Sequence, residues 1–329
     1  MRWEDVDEPT LGGPDAAVVR PLAVATCDID VAVLAGRYPL TGPYPFGHEG
    51  VAEVVAIGGD VTTVSPGDQV VVPFQISCGT CTPCRRGRSG NCAAHPPMST
   101  YGLGTMGGLE WGGLLADLVA VPHADAMLVP LPTGVDPIAV ASASDNLPDA
   151  WRTVGPALSA DPGAEVLVVG GDAGPNAIGL YATGLAVTLG AARVVYLDDN
   201  PARLAIAVEL GAEVMDGPPP RKAGSFPVTV DASGSAPGLR CALNSTAPDG
   251  TCTSPSVYLE DPALPMLSMY SRCCTLRTGR AHVRPAIPII LEIVAAGFDP
   301  SPVTSAVVHR SEVVEALAQP PMKLVVDYT

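Results

Sequence analysis

Four cysteines fall within fifteen residues, Cys78, Cys81, Cys84 and Cys92, in the stretch CGTCTPCRRGRSGNC. That pattern allows a disulfide-stapled module or a closed tetrathiolate metal site. Each CxxC step lets two sulfurs converge on one ion at a Zn–S distance of about 2.3 Å, and the fourth thiolate closes a tetrahedral shell. With every position taken by sulfur no water can be activated, so such a site orders a loop rather than performing a reaction. A second set is scattered: Cys27 in TCDID, His48 and Glu49 in FGHEG, and Asp145 in ASDNLPDAW. Singly these read as a small core thiol, a packed imidazole and a helix cap. Together they offer a thiolate, an imidazole and a carboxylate, the three-ligand open shell of a catalytic zinc.

The choice between disulfides and metal turns on compartment. The opening MRWEDVDEP has neither the basic start nor the apolar run of a signal peptide, which predicts a cytoplasmic, reducing location for the nine cysteines. Clustered cysteines there are metal ligands more often than bridges. Acidic residues outnumber basic ones 34 to 18, for a net charge of −16. Such a chain is a poor polyanion binder, and the short run Arg85, Arg86, Arg88 does not make the cysteine cluster a nucleic-acid finger.

The elements that must position these residues divide the chain of 329 residues into two textures. Before residue 150, short β-branched runs such as Val51 to Ile57 and Gln69 to Val72, broken by Gly, Pro and Asp, read as antiparallel β. From Glu165 apolar runs (Val166 to Val169, Val194 to Leu197) alternate with helix-like stretches, the βαβ pattern of a parallel sheet covered on both faces. Further strands are expected ending at Asp231, near Thr251 and after Cys273. The twenty residues from Ala173 to Ala192 carry no charge, yet contain Pro, Asn and Gly between two strand-like runs; they predict a buried helix rather than a membrane span. After Gly279, PAIPIILEIVAAGFDP reads as a helix and KLVVDY as a closing strand that returns to the first domain. The class is therefore α/β, with a β domain beside a doubly wound one.

CDID at 27 to 30, GHEG at 47 to 50, VSPGDQVVVP at 64 to 73, the four-cysteine lobe, GGLLADLVAVP at 112 to 122 and the glycine-rich turn after Val166 occur in one order along nearly the whole chain. In this the sequence resembles the zinc-dependent alcohol dehydrogenases of the medium-chain dehydrogenase/reductase superfamily. The resemblance implies a GroES-like catalytic domain over 1–150 with a structural-zinc lobe at 78–92, a Rossmann cofactor domain over 151–280, and a return to the catalytic domain over 281–329. It implies a catalytic zinc on Cys27, His48 and Asp145, with Glu49 as an adjacent or alternative ligand, a structural zinc on Cys78, Cys81, Cys84 and Cys92, and Asp30 as the carboxylate that orients His48. It implies hydride transfer between a nicotinamide cofactor and a small alcohol, aldehyde or ketone in a homodimer or homotetramer.

The cofactor loop is longer than the usual fingerprint: Gly170 to Gly179 reads GGDAGPNAIG, with Asn176 where a central glycine is expected. Gly171, Asp172, Gly174, Asn176 and Ala177 are the expected loop contacts. Asp198, at the end of the next strand, is expected to hold the adenosine ribose hydroxyls, and with Asp199 to favour NAD over NADP, while Arg203 is the residue able to turn to a 2′-phosphate. Many relatives carry Ser or Thr two residues after the first ligand to pass the alcohol proton outward; this chain has Ile29. Relatives also usually begin with a further strand ahead of a segment like RWEDVDEPTL, so a late start or a reduced first hairpin is expected. Two alternatives stay open: a biosynthetic reductase of an imine, ketone or conjugated alkene, and a non-catalytic NAD-binding protein.

Overall fold

Short valine- and alanine-rich runs between turn residues make the thirteen strands found among the described residues, which are all but residues 39, 41, 105–110, 172 and 173. The computed structural model resolves into two units, Met1–Pro148 with His282–Thr329, and Asp149–Ala281.

In the first unit the strands are β1 (Ala17–Ala25), β2 (Glu49–Ile57), β3 (Gln69–Val72), β4 (Val119–Val121) and β5 (Val129–Pro130). The second unit holds β6 (Val166–Val169), β7 (Val194–Asp198), β8 (Glu213–Asp216), β9 (Phe226–Asp231), β10 (Thr246–Ser254) and β11 (Thr275–Thr278). The chain then returns to the first with β12 (Ala306–His309) and β13 (Leu324–Asp327).

The first sheet runs β12-β13-β1-β2-β3-β5, with β4 against β1. Its pairs are antiparallel except β12 with β13. Val19, Val54, Val70, Val72, Phe46, Tyr101, Leu114 and Val326 pack into one core on this sheet. Register decides what meets at its end. Ala25 pairs with Glu49 of β2 and with Val325 of β13. The exit of β1 toward Cys27, the entry of β2 after His48 and the entry of β13 after Lys323 therefore lie side by side. The approach to His48 is tight: Gly102, at φ +66°, would place a Cβ 2.3 Å from the carbonyl oxygen of Gly47, so only glycine lets these backbones touch there.

The second unit is a parallel sheet in the order β11-β10-β9-β6-β7-β8. Val166 to Val169 of its central strand are fully buried, which is why they read as a continuous apolar run; burying each valine contributes about 1.5–3 kcal/mol. Within the charge-free stretch, Ala177–Thr188 forms the expected helix, most of it buried. Among the described residues no helix is long and apolar enough to cross a membrane. Strand β8 was not foreseen: Glu213 and Asp216 are exposed, and the strand pairs with β7 at the sheet edge.

Candidate metal centres and cofactor loop

Cys27 leaves β1 and enters the short helix Asp30–Leu34, whose first residue turns its carboxylate back to accept the Cys27 N–H at 2.8 Å. His48 precedes β2. Asp145 ends a 3-10 turn, Ala141–Ser144, that is bolted to β2 by Ser144, whose Oγ accepts from the Gly50 N–H at 2.6 Å. These elements bring one donor atom each from Cys27, His48, Glu49 and Asp145 within 4.8 Å of one another, all buried. Asp145 Oδ2 lies 3.2 Å from Cys27 Sγ and 3.4 Å from His48 Nε2. Bonds of 2.0–2.3 Å to a common tetrahedral ion require ligand–ligand edges of about 3.3–3.8 Å, so the donor set fits zinc.

The charges argue the same way. Burial, then the Asp145 and Glu49 carboxylates, push the Cys27 thiol well above its ordinary range, and burial pushes Glu49 up to about 7. His48 rises to about 9 despite its burial, because Asp30 and Asp145 favour its cation. A divalent cation relieves this crowding of anions. Asp30 Oδ1 stands 3.7 Å from His48 Nδ1, beyond hydrogen-bond distance, and both atoms are buried without a hydrogen-bond partner among the described residues. The expected orienting carboxylate is thus adjacent to the imidazole but not bonded to it.

Two participants were not anticipated. Lys323, 1% exposed, donates to Glu49 Oε2 at 2.8 Å, to Asn146 Oδ1 at 2.9 Å and to the carbonyl of Thr26. Asn146 in turn donates to Cys27 Sγ at 3.1 Å. The signal was present: the chain has two lysines, and this one opens the apolar run LVV.

The Cys78, Cys81, Cys84 and Cys92 donors also gather within 4.8 Å, with Cys81 Sγ 3.9 Å from Cys92 Sγ. All nine cysteines are free thiols. Backbone N–H groups of Cys81, Cys78 and Ala93 each point at a sulfur at 3.4 Å, as expected of thiolates wrapped for a metal. The Ala93 N–H, foremost, lowers Cys81 to about 6, whereas burial raises Cys84 to about 12. The lobe is tied down by the Gly90 N–H donating to His282 Nδ1 at 3.2 Å.

In the cofactor loop Gly171 and Gly174 adopt φ of +144° and +124°; Asp172 lies outside the described residues. Asn176 sits at φ +64°, heads helix Ala177–Thr188 and donates to the Ala232 carbonyl at 2.9 Å. Gly179 has no side chain to collide with it, since a Cβ there would lie 2.2 Å from Asn176 Oδ1. Asp198 is the last residue of β7. It is fully buried, and both its oxygens are engaged: Oδ1 accepts from Arg203 Nη2 at 2.7 Å and the Asn200 N–H at 2.9 Å, Oδ2 from Arg203 Nε and Tyr196 Oη, each at 2.8 Å. Arg203 extends on to the carbonyls of Gly171 and Gly174. This carboxylate braces the loop from within, held by Tyr196, two residues earlier on the same strand face, and by Arg203.

Comparison with known proteins agrees with this architecture. The family described as "Alcohol dehydrogenase GroES-like domain" matches residues 13–133. A probable zinc-binding alcohol dehydrogenase of Mycobacterium tuberculosis is 33% identical over 90% of this chain and 76% of its own length. A geraniol dehydrogenase of Castellaniella defragrans is 28% identical over 87% of this chain and 82% of its own. The solved alcohol dehydrogenase of Thermus sp. ATN1 superposes with a TM-score of 0.87 at 29% identity, covering 98% of this chain and 95% of that one. The chain belongs to the zinc-binding alcohol dehydrogenases of the medium-chain dehydrogenase/reductase superfamily.

Proposed function

We propose that the protein interconverts an alcohol and its aldehyde or ketone, with a catalytic zinc held by Cys27, His48 and Asp145 and a structural zinc held by Cys78, Cys81, Cys84 and Cys92. The observation that carries this reading is the convergence of Cys27, His48 and Asp145 in one buried cluster at the spacing of a tetrahedral ion. When bound, zinc supplies the Lewis acidity that stabilises negative charge on a substrate oxygen, and the nicotinamide ring gives or takes the hydride. The chain's own part is to hold the donor atoms. Asn146 donates to the Cys27 sulfur, the Cys27 N–H anchors Asp30, and the Phe74 ring lies 5.7 Å from the His48 ring. These contacts keep the donors aimed before any substrate arrives.

NAD rather than NADP is the proposed cofactor. Arg203 neutralises Asp198, so the argument rests on Asp199, exposed at the end of β7, whose charge opposes a 2′-phosphate. A homodimer or homotetramer is the proposed assembly, supported by the exposed Leu267 and Tyr270 in the unit whose sheet ends on β11. Cytoplasmic residence is the proposed location, a reading supported by the nine free thiols.

Ile29 favours a second reading, a reductase of a ketone, imine or conjugated alkene. No hydroxyl stands at that position to carry a proton away from an alcohol. The assay is direct: nicotinamide oxidation and reduction are followed with secondary alcohols, aldehydes and ketones over a pH series, for the parent and Asp145→Asn. Alcohol oxidation that rises with pH and falls by more than about 100-fold in the variant supports the first reading. Reduction without measurable oxidation supports the second, and turnover untouched by Asp145→Asn refutes both.

A further inference from the structure

Lys323 is a buried cation whose three ammonium donors serve three acceptors: Glu49 Oε2, Asn146 Oδ1 and the Thr26 carbonyl. Each adjoins the candidate catalytic centre: Glu49 lies in the donor cluster, Asn146 donates to Cys27 Sγ and Thr26 precedes Cys27. Because an ammonium has donors only, Asn146 must turn its oxygen to Lys323, which leaves its amide nitrogen facing Cys27 Sγ at 3.1 Å and Asp145 Oδ2 at 3.3 Å. Glu49 is divided. Its Oε2 is held by Lys323, while its Oε1 is buried without a hydrogen-bond partner among the described residues, and the carboxylate lies within 4.8 Å of the Cys27, His48 and Asp145 donors.

The formal charges sort into two groups. Cys27 and Asp145 as anions balance a divalent ion; Glu49 is balanced by Lys323. A buried carboxylate that loses its cation seeks the next one, and here that is the metal.

We propose that Lys323 is a positioning residue that holds Glu49 outside the ligand shell, keeping the protein ligands at three and one position open, and that it also fixes the Asn146 amide on the Cys27 sulfur. The proposal rests on the assignment of a metal to Cys27, His48 and Asp145 made above.

The test uses the full chain, loaded with zinc for release kinetics and with Co(II) at the catalytic centre for spectroscopy, in the parent, Lys323→Met, Lys323→Arg and the double variant Lys323→Met/Glu49→Gln. Imidazole serves as the probe of an open position. In the parent and in Lys323→Arg, imidazole shifts the Co(II) bands. In Lys323→Met, Glu49 takes the open position, so the imidazole response disappears and chelator-driven release of that metal slows by at least about tenfold. The double variant, with no carboxylate to restrain, regains the response.

A Lys323→Met protein that binds imidazole as the parent does overturns the proposal, as does a double variant that behaves like Lys323→Met. Should Lys323→Met fail to fold, the double variant decides: folding and an imidazole response like the parent's support the restraint of Glu49, and their absence overturns it. A parent that holds one metal per chain and shows no imidazole response refutes the underlying assignment instead, so the two failures are distinct.

Discussion

The bracing of Asp198 by Arg203 makes a quantitative claim about the second unit. In Arg203→Met the Asp198 carboxylate stays fully buried but loses two of its four donors, Nε and Nη2, and the carbonyls of Gly171 and Gly174 lose theirs. Breaking a buried pair from one side costs about 3–5 kcal/mol. Tyr196 and the Asn200 N–H still serve the carboxylate, which places the loss near the lower end, about 3 kcal/mol. For a unit of about 130 residues, that corresponds to a fall in Tm of about 10 °C. Asp198→Asn combined with Arg203→Met removes both charges together, and it should recover stability to within about 1 kcal/mol of the parent. Thermal unfolding of the full chain followed by circular dichroism reads both values. A loss under about 1 kcal/mol in the single variant, or a double variant as unstable as the single, would refute the claim that the pair braces the loop. The same substitution should also strengthen binding of NAD relative to NADP, since it frees a carboxylate and deletes the guanidinium beside it.

Two further outcomes follow from the first unit. Cys84→Ser should lower the zinc content by one ion per chain and speed amide exchange at Gly90 and Val283, which tie the lobe to helix Val283–Ala295 through His282 and Gln75; unchanged metal content would contradict the four-thiolate site. Asp125 has some burial raising its pKa, but hydrogen bonds from Thr62 and Thr63 outweigh this and lower it to about 2. Its folded value lies below its unfolded one, so its contribution is complete above about pH 4 and is lost as pH falls through about 2. Urea unfolding over that range should show Asp125→Asn less stable than the parent at pH 5 and equal to it below about pH 2, and parallel curves would contradict this.

Much of the fold was legible because its physical causes are local. Val166 to Val169 read as a strand of a parallel sheet since a continuous apolar run marks burial on both faces, and the CxxC steps at Cys78 and Cys81 name sulfurs that any tight turn brings together. CDID and GHEG named side chains that the β1–β2 register then places side by side. What stayed hidden depends on long-range register. Lys323 and Asn146 lie 177 residues apart, and no local pattern links them, although a lysine opening an apolar strand was a usable clue. Asp198 was expected to hold the ribose hydroxyls from its place at the end of the strand after the glycine-rich turn. The period of two along β7 already set Tyr196 on its face, but only the packed structure shows that Tyr196 and Arg203 close over it. Strand β8 escaped notice because Glu213 and Asp216 give it no apolar rhythm.

The central claim is a count of metals. Zinc per chain, measured by plasma emission on protein purified without added zinc or chelator, should be two in the parent and one in Cys27→Ser, with circular dichroism showing the fold retained. One zinc in both proteins would mean that Cys27, His48 and Asp145 hold none, and would contradict the alcohol dehydrogenase chemistry proposed for this site.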